Sequence, residues 1–267
     1  MIDRIRVEPG HTPSIAERNP RDTLGLEDKA DAKDRLVKLH EWLELLHARL
    51  FAEGKRSVLL VIQGMDASGK DGVIRAVLQG VNPQGCRVVS FKAPAGAELA
   101  HDYLWRIHAV LPGRGEIGIF NRSHYEDVVT VRMLDLAPKE VWSKRPHHIN
   151  EFERELTDEG TAIVKVYLNV SREEQGKRFG ERIEDPEKRW KFRKADLDVH
   201  ERYDEYVAAY EEALAETCTE WAPWHVVPAD RNWVKATAVA TLLVDTLEKL
   251  DPQLPAGEAG IEQIEVD

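Results

Sequence analysis

Val58-Leu-Leu-Val-Ile62, one glutamine, then Gly64-Met-Asp-Ala-Ser-Gly69-Lys70-Asp71-Gly72: the fold turns on this stretch. The first five residues form a short continuous apolar run, which fits a strand buried on both faces of a parallel sheet. Gly64 and Gly69-Lys70 then have the G-x-x-x-x-G-K spacing of a Walker A phosphate loop, and a helical pattern follows over Asp71–Gln79. Glycines let backbone N–H groups curl around a phosphate, the helix after them presents its positive end, and Lys70 adds a full charge. With a buried strand before it and a helix after it, the loop is read as a phosphate cradle. Gly64, Ala67, Ser68, Gly69, Lys70, Asp71 and Gly72 line that cradle.

Two positions depart from the usual loop. Asp71 stands where a Ser or Thr hydroxyl normally holds Mg²⁺, and Asp66 is a carboxylate inside the loop itself. Two loop carboxylates indicate a site that manages metal and acceptor phosphates with its own acids. Asp71 reads equally well as an acid stabilised by the helix N-terminus; Asp66 reads as functional.

Outward from the loop, further strand patterns lie at Arg87–Phe91, Ile117–Phe120, Ala162–Asn169 and His225–Val227. Helical patterns fall between and after them: Glu98–Val110, Tyr125–Leu134, Pro146–Leu156, Glu173–Ile183, Val199–Thr217 and Val234–Leu250. Leu36, Leu39, Leu43, Leu46 and Leu50 recur at three- and four-residue steps, an amphipathic helix ending near Gly54. Strands alternating with helices predict an α/β fold with a doubly wound, mostly parallel sheet, whose ligands bind beyond the carboxyl ends of the strands.

The third strand runs into Phe120-Asn-Arg-Ser-His-Tyr-Glu-Asp127. Arg122 sits where a guanidinium can clamp a phosphate bidentately. Asp127 can hold Mg²⁺ directly or through water. Glu126 and Asp127 read equally as a solvated first helical turn. His124 is taken as structural or as a hydrogen-bonding group, because no second histidine lies at ligand spacing.

From Gln175 to Lys194 there are eight Lys or Arg and four acids, a local balance of +4 in a chain of net charge −11. Arg178 and Arg182 share a helix face, and Asp185-Pro186 breaks the helix. The segment reads as a mobile flap bringing cations, Lys188 and Lys191 among them, over a phosphate chain. The alternative is an ordinary salt-bridged helix.

The 267 residues fit one large α/β domain, and 42% apolar residues suffice for its core. The expected divisions are an irregular arm over 1–35, a P-loop domain over 36–250 with its lid at about 175–198, and a loose acidic tail over 251–267. Cys86 and Cys218 form no paired or metal-binding pattern, no apolar run approaches a membrane span, and the first 35 residues are too charged for a signal peptide. A cytoplasmic protein with reduced thiols is expected. The net negative charge argues against a nucleic-acid binder.

Together, Gly64–Gly72, Phe120–Asp127, Asp185-Pro-Glu-Lys-Arg-Trp-Lys191 and Trp224–Trp233 make the chain resemble polyphosphate kinase family 2 over nearly its whole length. The resemblance implies a P-loop kinase core akin to thymidylate kinases, with a helical lid. It implies Mg²⁺-assisted phosphate transfer between inorganic polyphosphate and the adenine nucleotides AMP, ADP and ATP, and assembly as a homodimer or homotetramer. Asp66, Lys70, Arg122 and Asp127 fall on the family's catalytic and metal-binding positions, with Asp66 and Asp127 as the metal ligands. Arg178 and Arg182 fall on lid positions that contact phosphates. Asn121 and Glu126 mark the nucleotide side. Members restricted to the diphosphate tend to have Asp at the position of Asn121 and to lack the Glu126-Asp127 pair, so this chain looks like the subgroup accepting both AMP and ADP. Two rivals remain at this stage: an ATP-dependent nucleoside monophosphate kinase on the same fold, and a nucleotide-binding regulatory module without turnover.

Overall fold

In a computed structural model, which describes residues 1–261 and 264, the apolar run of the phosphate loop's strand lies at the centre of a five-stranded sheet. The strands are β1 (Ser57–Gln63), β2 (Cys86–Ser90), β3 (Ile117–Asn121), β4 (Thr161–Asn169) and β5 (Trp224–Pro228), in spatial order β2-β3-β1-β4-β5. Every pairing is parallel. All seven residues of β1 are buried. Side chains alternate across a strand, so Val58, Leu60 and Ile62 enter one core while Leu59 and Val61 enter the other. Each such aliphatic side chain contributes about 1.5–3 kcal/mol on burial. Helices Lys29–Glu53, Lys70–Val77 and Asn232–Leu250 cover the first face. Helices Arg145–Asp158 and Tyr203–Thr217 cover the second.

The leading helix ends at Gly54, whose φ of +60° suits glycine, as its pattern predicts. It starts earlier than Leu36, however. Asp28 accepts from the N–H groups of Ala30 (2.7 Å) and Asp31 (2.9 Å), and the helix runs from Lys29. Its first two turns are charged and hide from a periodicity reading. Residues before it form short turns, yet Ile5, Val7, Ile15, Leu24 and Leu26 are buried, and Val7 N–H donates to the Trp224 carbonyl at 2.9 Å. The arm is thus irregular in backbone but packed on the core.

Two expected helices are broken. In Glu98–Val110, the Asp102 carboxylate takes the Leu104 N–H at 2.9 Å, leaving a 3₁₀ turn (Gly96–Ala100) and a single turn (Trp105–His108). In Tyr125–Leu134, Ser123 Oγ caps a 3₁₀ turn over His124–Asp127 before a short helix over Val129–Met133. The lid pattern gives helix Arg172–Glu184, a break at Asp185-Pro186, a turn over Arg189–Lys191 and helix Ala195–Glu201. The tail has no helix or strand over residues 251–258; positions 262, 263 and 265–267 lie outside the described residues. Among the described residues no helix is long and apolar enough to cross a membrane.

Candidate active site

The loop after β1 is held from outside by side chains. Lys70 Nζ donates to the carbonyls of Gly64 (2.7 Å) and Met65 (3.1 Å). Gln175 Nε2, from the lid helix, donates to the Asp66 carbonyl at 3.1 Å. Arg178 Nη1 donates to the carbonyls of Ala67 (2.9 Å) and Ser68 (3.1 Å), and Lys235 Nζ also donates to Ser68 at 2.7 Å. Each carbonyl from Gly64 to Ser68 therefore has a side-chain donor. Gly64 takes φ +146° and Gly69 φ +95°, and a Cβ at Gly64 would come within 2.9 Å of the Leu168 carbonyl. The loop cannot be made with larger residues at these two places. Lys70 is buried, and burial first, then the nearby Arg122, lower its ammonium to about 8 against the pull of Asp66, Glu126 and Asp71.

Beside the loop, Arg122 leaves the end of β3 with φ +62°, a conformation uncommon for a large side chain. Its guanidinium bridges two acids: one nitrogen pairs with Asp66, the other donates to Glu126 at 3.1 Å. Glu126 also accepts from Thr130 Oγ1 at 2.7 Å. Burial opposes ionisation of Asp66, but Arg122, Lys70, Arg182 and Arg193 outweigh it and hold the carboxyl below its ordinary range. Asp127 is nearly buried, accepts from Arg106 at 3.2 Å and lies 3.6 Å from Arg145. Burial lifts the Asp127 carboxyl above the usual value despite those arginines and His124. Asn121, at the very end of β3, donates to Asp71 at 2.6 Å, and the flap's Lys191 stands 3.9 Å from the same carboxylate.

Loop, Arg122 and flap open on one cavity of about 770 Å³. Asp66, Arg122, Glu126 and Asp127 line it together with Lys92, Arg106, Lys191 and Arg193. Val131, Leu134, Leu136 and Val199 give it an apolar wall. Among the described residues no group of three or more His, Cys, Asp or Glu is placed to hold a metal. Mg²⁺ commonly takes one or two carboxylates and completes its shell with water and substrate phosphates. Asp66 and Asp127, two hard oxygen donors on one cavity, fit that smaller requirement.

Residues 26–255 match the family model for polyphosphate kinase 2. The chain belongs to the polyphosphate kinase 2 family. It is 50% identical over 267 residues to the AMP/ADP-polyphosphate phosphotransferase of Meiothermus ruber, covering 100% of both chains. It is 46% identical over 227 residues to the ADP-polyphosphate phosphotransferase of Rhodopseudomonas palustris, covering 80% of this chain and 78% of that one. The crystal structure of polyphosphate kinase 2 from Arthrobacter aurescens TC1 superimposes with a TM-score of 0.93 at 41% identity, over 98% of this chain and 93% of that one.

Most of the expected site residues converge: Asp66, Lys70, Asp71, Asn121, Arg122, Glu126, Asp127 and Lys191 surround the loop and its cavity. Arg178 differs from its expected place over a phosphate. Its five N–H donors meet Glu174, Ala67, Ser68, Ala229 and Asp230, so in this arrangement it braces the loop from behind. Arg182 lies over the Phe179 ring and reaches the Lys191 carbonyl at 3.4 Å. Lys188 pairs with Asp185 at 2.8 Å on the outer flap. Glu126 orients Arg122. Ser68 Oγ is buried with no partner among the described residues. Sequence reading missed Arg106 and Arg145, which hold Asp127, and Gln175 and Lys235, which hold the loop. Only Lys235 left a trace, a lone cation in the apolar run Val234–Val244.

Proposed function

We propose that this chain moves a phosphoryl group between inorganic polyphosphate and AMP or ADP. The observation that carries this is one cavity on which Asp66 of the phosphate loop and Arg122 meet four further cations, Lys92, Arg106, Lys191 and Arg193. A phosphate chain longer than a nucleotide's has cations to meet beyond the reacting group. The name of the relative from Meiothermus ruber supports polyphosphate with AMP and ADP, and that of the relative from Rhodopseudomonas palustris supports polyphosphate with ADP.

The donor's terminal phosphate lies in the loop, against the backbone amides, the Ser68 hydroxyl and Lys70. The nucleotide's terminal phosphate lies opposite, beside Arg122, which Asp66 and Glu126 hold in place. One of its oxygens attacks the donor's terminal phosphorus in line. The bond to the next phosphate breaks, and polyphosphate one unit shorter leaves. The attacking oxygen is already anionic, so no general base is needed, and catalysis is positioning plus charge stabilisation. Asp66 and Asp127 would hold Mg²⁺, which supplies positive charge to phosphate oxygens when bound. Arg182 and Lys191 close over the chain from the flap, while Arg178 acts from beneath the loop. Asn121, paired with Asp71, and Glu126 set the nucleotide side, consistent with acceptance of both AMP and ADP. The enzyme works in the cytoplasm as a homodimer or homotetramer, which light scattering reads directly.

The test is ADP and ATP formation from AMP with polyphosphate as sole donor, followed by chromatography. An ATP-dependent monophosphate kinase would need ATP instead, and a regulatory module would leave the nucleotide unchanged.

A further inference from the structure

Helix Asn232–Leu250 is a core helix. Val234, Ala236, Ala238, Val239, Leu242 and Leu243 are buried in it, and among them Lys235 is only 1% exposed. A buried ammonium is costly unless its donors are used. Here Nζ donates to the carbonyls of Ser68 (2.7 Å) and Ala229 (3.3 Å). The fit is close: a Cβ on Gly69 would stand 2.2 Å from that nitrogen. Burial first, then Arg178, lower the ammonium to about 7, against Glu174 and Asp230, with Lys70 adding to the lowering. A core position of this kind is served more cheaply by an apolar residue.

We propose that Lys235 is a positioning residue for phosphoryl transfer, holding the Ser68–Gly69 peptide so that its amide faces the phosphate. The reason lies in the peptide itself. In a trans peptide the C=O and the following N–H point opposite ways, and a carbonyl drawn back by Lys235 turns the Gly69 N–H toward the cradle. Below about pH 7 the same contact also places a positive charge under the loop, where anions are to bind. Lys235 touches the loop only from behind, so it acts through the backbone and not on substrate. Arg178 Nη1 shares the Ser68 carbonyl, so loss of Lys235 does not leave that oxygen unpaired.

This inference rests on the phosphotransferase reading and deepens it. The variants are Lys235→Met, which fills the space without charge or donor, and Lys235→Gln, which keeps a donor without charge. Melting temperature, tripolyphosphate affinity by calorimetry, and kcat and KM with AMP and polyphosphate are measured on the full chain. Lys235→Met is expected to melt no lower than the parent, because a desolvated ammonium is removed. It is expected to lose about 10²-fold in kcat, the scale of a misplacement of about 1 Å. Tripolyphosphate affinity is expected to weaken about tenfold while KM for AMP changes less than about threefold, and Lys235→Gln is expected to fall between. Parent-like kcat and tripolyphosphate affinity in a folded Lys235→Met would overturn the proposal. So would activity that falls only as far as the folded fraction falls in both variants. An inactive parent would instead remove the phosphotransferase reading on which it stands.

Discussion

Arg122→Lys separates catalysis from stability in a way the structure makes quantitative. Arg122 bridges Asp66 and Glu126 with two different nitrogens, and its side chain is 35% exposed. A lysine ammonium is a point charge and cannot span both carboxylates while also facing a phosphate. The pair lost to the fold is partly solvated, so its cost to stability is at most about 1 kcal/mol, a fall of about 2–4 °C in Tm for a domain of this size. The cost to the reaction is larger. Removing one preorganised donor from developing charge is worth about 2.7–4 kcal/mol, or about 10²–10³ in kcat.

The assay is initial-rate ATP formation from ADP and polyphosphate, read by luciferase, beside a thermal melt. Arg122→Ala adds a pH signature. Without the guanidinium that holds the Asp66 carboxyl low, that group protonates at a higher pH, so the acid limb of activity moves up. If Arg122→Lys keeps a third or more of the parent kcat, or if its loss simply tracks unfolding, the role given to Arg122 is wrong.

Three further outcomes follow from the same geometry. Lys70 is charged below about 8, so tripolyphosphate affinity should weaken as pH rises through that value, and Lys70→Ala should remove both the dependence and at least about 10²-fold of turnover; calorimetry from pH 7 to 9 checks the first. Arg178→Lys replaces a fork of donors by a point charge; the Ser68 and Ala229 carbonyls keep Lys235, but the Ala67 carbonyl loses its side-chain donor, at a cost of about 1–3 kcal/mol. Hydrogen exchange at residues 66–69 should then quicken and kcat fall about tenfold, whatever the length of the donor. Neutralising Lys188, Lys191 and Lys194 together should weaken long polyphosphate more than short and flatten the salt dependence; equal loss for both lengths would make the flap a closing lid and not a track.

The sheet was legible because a buried parallel strand announces itself as an apolar run, unbroken in Val58–Ile62 and interrupted in Ala162–Leu168 only by Lys165, which is buried against Glu153. The loop was legible because phosphate binding needs glycine at set places, and Gly64 and Gly69 do take positive φ. The arm was not legible as packed chain, since Ile5, Val7, Ile15, Leu24 and Leu26 bury themselves without any period. Side-chain caps at Asp102 and Ser123 broke two helices whose apolar pattern ran on through them. Arg178 shows the limit of a motif: its position in the basic lid was readable, but only the fold reveals that its donors are spent on carbonyls of the loop. Arg106 and Arg145 come to the site from distant segments with no spacing to mark them, and Gln175, one turn before Arg178 on the lid helix, has no charge to mark it.

In the proposed reaction the donor is polyphosphate itself. Purified protein, freed of nucleotide, is mixed with AMP, Mg²⁺ and long-chain polyphosphate without ATP, and the products are separated by chromatography while donor length is followed on a gel. ADP and then ATP should appear as the polyphosphate shortens, one phosphate lost for each phosphoanhydride bond made. AMP left unchanged with intact polyphosphate, in a preparation that phosphorylates AMP once ATP is added, would contradict it.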